Sequence, residues 1–130
     1  RTYRAVVSGI PIPTSGTMDA PIARKQDSAI ERCVDFEKGE PAVTHYHVLE
    51  TKENLALVEL SLETGRTHQI RVHMQHMGCP LLGDYLYNPD FSLINRVSLH
   101  SYSLSFIHPI TGKSMYFCAP LPKDMAGLLS

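Results

Sequence analysis

Val43 to Met77 reads VTHYHVLETKENLALVELSLETGRTHQIRVHMQHM, and a change of period inside it decides the fold. Between Val43 and Glu50, Thr44, Tyr46 and Val48 alternate with Val43, His45, His47 and Leu49, the two-residue repeat of a strand. Thr51–Asn54 is polar and turn-like. From Leu55 to Glu63, Ala56, Val58, Leu60 and Leu62 then alternate with Leu57, Glu59, Ser61 and Glu63, so the two runs predict an antiparallel hairpin. From Thr67 the period lengthens. Ile70, Met74 and Met77 recur at helical spacing while His68, Arg71 and Gln75 share a different face, which predicts a helix over Thr67 to Met77. Thr64 or Thr67 can cap its start, and Gly78 followed by Pro80 can stop it.

Outward from this stretch the signals are mostly β. Thr2 to Ser8 places Tyr3, Ala5 and Val7 on one face and ends at Gly9. Residues 9–28 carry Pro11, Pro13 and Pro21 and read as a long connection with at most short strands, because proline removes ladder donors. Ser28 to Asp35 is undecided between strand and loop. Gly83 to Pro89 reads as a tyrosine-bearing loop, residues 97–107 and 114–118 as a second hairpin around Thr111-Gly112-Lys113, and Met125 to Leu129 as a short apolar tail. There is no internal repeat and no domain-splitting linker. The expectation is a single domain over residues 1–130, α+β, with a mainly antiparallel mixed sheet and one or two packed helices.

Composition narrows the function classes. A 130-residue chain that is 43% hydrophobic and 19% charged can bury a core, which argues against disorder or a coiled coil. No apolar run reaches the roughly 20 residues of a membrane-spanning helix, so no membrane partner is expected. With 12 Lys+Arg against 13 Asp+Glu the formal charge is -1, so any nucleic-acid contact must use a local basic patch. Cys33, Cys79 and Cys118 form neither a zinc-type pair nor a disulfide framework, which favours a reducing, cytoplasmic setting. The chain opens on Arg1 inside a strand, and reads as a fragment or processed chain that starts within a domain.

Glu63 to His73 (ETGRTHQIRVH) holds the densest chemistry. A strand ends, a glycine turns the chain and a helix begins, leaving free backbone N–H groups. Arg66 and Arg71 can meet a phosphate or carboxylate, and His68 and Gln69 add donors and acceptors suited to a sugar or base edge. The stretch suits an anionic, polyhydroxylated ligand; a polar first helical turn that only solvates a surface is the competing reading. His68, His73 and His76 invite a metal. Positions 68 and 73 diverge around a helix, however, and no acid or cysteine completes a set, so no metal is expected. A serine-hydrolase elbow and a glycine-rich phosphate loop are both missing.

Leu62 to His73, followed by Gly78-Cys79-Pro80-Leu81-Leu82-Gly83-Asp84-Tyr85-Leu86-Tyr87, resembles the signature of the RluA-type pseudouridine synthases. The resemblance extends over most of the chain: through Arg1-Thr2-Tyr3-Arg4-Ala5, Asp19 to Arg24, Ala42 to Tyr46, Leu99-His100 and Ile107-His108-Pro109. It implies isomerisation of uridine to pseudouridine in ribosomal or transfer RNA, without cofactor or metal, on a nucleotide drawn out of its stack. It also implies that Tyr3 packs against the target base, that Ile70 lines the pocket, and that Arg71 pairs with the catalytic aspartate. Arg66, Thr67, His68 and Gln69 are implied to bind substrate with Ile70. An aromatic ring offers a base a stacking face, and a guanidinium keeps a nearby carboxylate ionised.

One departure matters. The family's histidine-arginine-leucine-aspartate motif lies upstream of the tyrosine and has no counterpart here; Thr14-Ser15-Gly16 copies its trailing letters but follows Tyr3. Asp19 and Asp84 fall where structural roles are expected. The chain thus reads as the C-terminal portion of a catalytic domain, inactive by itself, with Arg71 lacking its acidic partner. It is expected to associate with a copy of itself or with the missing half. A noncatalytic RNA-binding module of the same fold and a histidine-based metal hydrolase are the alternatives.

Overall fold

The computed structural model describes all of residues 1–130. Eight strands and two helices follow in order: β1 (Thr2–Ser8), β2 (Ser15–Asp19), β3 (Ile22–Arg24), β4 (Arg32–Val34), β5 (Val43–Lys52), β6 (Leu55–Leu62), α1 (Gln69–His76), β7 (Leu99–Ile107), β8 (Ser114–Cys118) and α2 (Lys123–Gly127). Six strands form one sheet in the order β2-β5-β6-β1-β7-β8, and β3 with β4 makes a separate ribbon. Every strand pairing is antiparallel, so the mixed sheet anticipated from the sequence has no parallel member.

The β5–β6 hairpin forms in the register that alternation predicts, with Tyr46 opposite Leu60 and Val48 opposite Val58. A bulge between Val48 and Glu50 absorbs Leu49, which turns outward. Two short strands lie within residues 9–28, and β4 resolves the undecided Ser28–Asp35 stretch. Pro11, Pro13 and Pro21 stay outside them, as their missing N–H groups require.

Alternation along β1 and β6 divides the core between two layers. Ala5, Val7, Val58 and Leu60 face α1 and pack with Ile70, Met74 and Leu81. Val6 and Leu57 point the other way, onto Leu82, Ile94 and Met125 of α2. Leu60 and Met125 are each fully buried, and such side chains contribute about 1.5–3 kcal/mol apiece. The apolar tail anticipated at residues 125–129 is thus the second helix and its exit. Ile22, Ala42 and Val72 join the β3–β4 ribbon to the outer side of α1.

The end of α1 matches the sequence reading, and its start does not. Met74 and Gln75 carbonyls accept from Cys79 and Gly78 N–H groups at 2.9 and 3.0 Å, a double closure that Gly78 permits at φ 83. At the other end neither Thr64 nor Thr67 caps the helix. Residue 68 is the N-cap, in the left-handed region at φ 57, and makes no side-chain cap bond. Thr64 Oγ1 instead accepts from the Val43 N–H at 3.0 Å, and the Gln69 side chain accepts from the Arg66 N–H at 3.0 Å. A fold-back of Gln69 therefore does the work expected of a capping hydroxyl.

Candidate active site

Tyr3 follows from β1 alternation. It shares a face with Ala5 and Val7, and therefore looks out on the α1 side near the rim of the sheet. The 65–71 loop and first helical turn arrive at the same rim because β6 runs antiparallel to β1 and ends beside it. Together they enclose a pocket of about 280 Å3 lined by Tyr3, Leu62, Arg66, His68, Gln69, Ile70, Arg71 and Leu99. Every site residue singled out from the sequence except Thr67 is here; Thr67 faces a neighbouring cleft. Leu62 and Leu99 are walls that sequence reading missed. Their position follows only from the pairing of β6 and β7 with β1.

Arg71 is the most firmly held group in the pocket. Its Nε donates to Asp84 Oδ2 at 2.9 Å and its Nη2 to Asp84 Oδ1 at 2.8 Å, with the arginine side chain 12% exposed and the aspartate fully buried. The Tyr85 and Tyr87 rings lie 5.0 and 5.2 Å from the guanidinium carbon. Asp84 is itself fixed, since Oδ1 also accepts from the N–H groups of Leu86 and Tyr87 at 3.1 and 3.2 Å. Gly83 makes this placement possible: at φ 67, any Cβ there would sit 2.1 Å from the Arg96 carbonyl oxygen. The expectation that Arg71 lacks an acidic partner within this chain is therefore corrected. Asp84, thirteen residues on, supplies one, and the structural role expected of that aspartate is to hold the guanidinium in place. The contact with Asp84 raises the arginine pKa, outweighing burial, so the group stays charged.

Gln69 needs a different correction. Its side chain was expected to meet a sugar or base edge, yet its polar atoms are spent inside the protein. Oε1 accepts from Thr64 Oγ1 at 2.8 Å and from the Arg66 N–H, while Nε2 donates to the Val43 carbonyl and to Thr44 Oγ1, both at 3.0 Å. Thr44 connects this network to His73, which is fully buried. His73 Nε2 must carry its proton, because its partner at 2.8 Å is the Ala20 carbonyl; Nδ1 then accepts from Thr44 Oγ1 at 2.8 Å. Burial lowers the His73 pKa and the ring stays neutral. Both ring nitrogens are occupied, which leaves neither for a metal.

His68 keeps one nitrogen free. The Tyr87 hydroxyl accepts from the Arg32 N–H at 2.8 Å, so its own proton is available to His68 Nδ1 at 2.8 Å. That arrangement places the remaining imidazole proton on Nε2. Burial, and then the charges of Arg71 and Arg32, hold the His68 pKa below the ordinary histidine value. A neutral donor at a left-handed backbone position is a strained feature, and such features concentrate at functional sites. Arg66 is looser, half-exposed, with Nε on the Pro41 carbonyl at 2.8 Å and Nη1 on Glu40 at 3.0 Å. The pocket thus offers an aromatic ring, aliphatic walls, a fixed cation and a neutral imidazole donor. That set suits a planar polar heterocycle.

Comparison with known proteins identifies the family. The sequence model described as RNA pseudouridylate synthase matches residues 1–76, more than half the chain. The chain is 53% identical over 129 residues to the uncharacterized RNA pseudouridine synthase YjbO of Bacillus subtilis, covering 99% of this chain and 45% of that protein. It is 44% identical to ribosomal large subunit pseudouridine synthase D of Haemophilus influenzae, covering 100% of this chain and 44% of the relative. It therefore spans less than half the length of these curated relatives. Among solved structures, Human RNA Pseudouridylate Synthase Domain Containing 1 superposes with a TM-score of 0.76 at 28% identity, over 92% of this chain and 53% of that one. Fold, signature and family match agree, and the chain belongs to the RluA-type family of RNA pseudouridine synthases.

Proposed function

We propose that this chain is the C-terminal portion of a pseudouridine synthase catalytic domain and supplies the base pocket for a uridine of ribosomal or transfer RNA. The observation that carries the reading is the convergence of Tyr3, Ile70 and Arg71 on one pocket, although Tyr3 lies more than sixty residues from the other two. The Tyr3 ring packs on the uracil, and Ile70, Leu62 and Leu99 exclude water around it. His68 Nε2–H donates to a carbonyl or hydroxyl of the nucleotide. The reaction detaches the base from the ribose, turns it and rejoins it through carbon.

Arg71 serves that reaction by keeping an approaching carboxylate ionised, through the edge of the guanidinium that Asp84 leaves unused. None of the lining residues is acidic, and Asp84 is buried against Arg71. The 130-residue chain by itself is therefore proposed to bind the base without turning it over. The exposed apolar rings of β7 and β8 fit association with further chain or with a second copy.

The test is kinetic. In a longer version that carries the aspartate motif, Arg71→Ala lowers kcat, whereas Arg66→Ala mainly raises KM for RNA. If both substitutions change KM alone, the role given to Arg71 is wrong. Pseudouridine formation by the purified 130-residue chain overturns the claim that it is inactive alone.

A further inference from the structure

A second cleft, of about 390 Å3, opens on the other side of the same loop. Gly65, Arg66 and Thr67 line this cleft, His68 to Arg71 line the base pocket, and Arg66 lines both. The opposite wall carries Arg32, Lys38 and Glu40. Glu40 is matched by Arg66 at 3.0 Å, while neither Arg32 nor Lys38 closes an ion pair, although the Asp35 carboxylate lies near enough to Lys38 to feel its charge. The Arg32 guanidinium donates only to carbonyl oxygens, those of Ile30 and Glu31, and Lys38 makes no ion pair. The wall is rigid. Asp35 Oδ1 accepts from the N–H groups of Glu37 and Lys38 at 2.9 and 3.0 Å, and a Cβ at Gly39 would sit 2.4 Å from the Asp35 carbonyl oxygen. On the loop side a Cβ at Gly65 would meet nothing within 4 Å, so a ligand can approach the main chain closely.

We propose that this cleft binds the phosphodiester adjoining the nucleotide whose base fills the Tyr3 pocket. The proposal rests on the reading of that pocket given above. Two cations that close no ion pair, with a loop hydroxyl, suit a phosphate, and an occupied base pocket leaves the adjoining backbone to cross the 65–67 loop into the cleft. The two sites are also linked mechanically, because the Arg32 N–H holds the Tyr87 hydroxyl that orients His68. Phosphate capture by Arg32 therefore acts on the β3–β4 ribbon that sets the imidazole donor.

The experiment compares uridine with the trinucleotide UpUpU as ligands of the 130-residue chain, by calorimetry at about 50 and about 200 mM salt. UpUpU is expected to bind at least about tenfold tighter than uridine, as one charge-assisted contact allows. That gain is expected to shrink at the higher salt. Lys38 is exposed, so Lys38→Met tests the cleft without disturbing the core. It should remove most of the gain and reduce the salt slope by about 0.7, while leaving uridine binding unchanged; Lys38→Arg should restore the gain. Equal binding of the two ligands, or a gain that Lys38→Met and Arg32→Gln leave intact, overturns the cleft proposal and spares the base pocket. Failure of both ligands to bind overturns the base pocket and the cleft with it. Inorganic phosphate that binds as tightly as UpUpU shows a general anion site and also overturns the assignment.

Discussion

The surroundings of α1 and the β7–β8 hairpin are built on opposite terms. Around α1 the buried polar groups are all bonded: Gln69, His73 and Asp84 together hold Thr44, Thr64, Arg71, the nearby Arg66 N–H and the carbonyls of the distant Val43 and Ala20. No buried side-chain nitrogen or oxygen in the molecule lacks a partner. In β7 and β8 apolar groups stand in the open, with Ile107 70% and Tyr116 66% exposed and the Phe106 and Phe117 rings stacked at 5.9 Å on the surface. A buried polar network fixes geometry because each misplacement leaves a group unpaired, whereas an exposed apolar strand fixes little beyond its own ladder. Precision lies at the candidate site, and the hairpin is a surface suited to being covered.

The contrast makes substitutions at the two ends differ greatly in cost. Asp84→Ala leaves the Arg71 guanidinium without its carboxylate, and breaking such a buried pair costs about 3–5 kcal/mol. Urea unfolding measures it, and a loss under about 1 kcal/mol would show that the pair holds little. Gln69→Leu keeps the side-chain volume but strips the partners of Thr44, Thr64 and the Arg66 N–H. A cost of about 1–3 kcal/mol is expected in the same assay.

Acidification probes the network through its histidines. His68 and His73 are both held below the ordinary histidine pKa, chiefly by burial, so the unfolded chain takes up their protons first. Their stabilisation is fully present above about pH 6.5 and is lost as pH falls through the folded-state values. Tm should drop on acidification, with a shallower slope in His73→Gln; a Tm unchanged between about pH 7 and about pH 5 contradicts the buried neutral ring. At the other end of the molecule, Phe117→Ser is expected to alter unfolding free energy by no more than about 0.5 kcal/mol. It should reduce self-association in sedimentation at high concentration. A loss of several kcal/mol would mean that the hairpin is part of the core.

Legibility in the sequence followed the range of the forces involved. The β5–β6 hairpin, β1 and the stop of α1 were readable because period-two burial and a glycine after the last turn are local properties. The short strands β2, β3 and β4 were not, since three to five residues among prolines carry no period and gain their ladder only from a distant partner. The start of α1 misled for a related reason. Thr64 and Thr67 look like caps, but Thr64 is drawn off by the Val43 N–H, across the β5–β6 pairing.

The site divides the same way. Residues 63–73 announced a ligand site through the local density of arginine, histidine and glutamine, and that density was enough to nominate Arg66, Arg71, His68 and Gln69, whereas Ile70 was implied only by the family resemblance. Which of those groups remain free for a ligand was settled in three dimensions. Gln69 is consumed by the fold, Arg71 is clamped by Asp84, and His68 is oriented by Tyr87 and, beyond it, Arg32. A sequence specifies which side chains a segment carries and how they alternate. Whether a polar atom is left unspent depends on long-range pairing, because a hydrogen bond or ion pair forms with whichever partner the folded chain brings within about 3 Å.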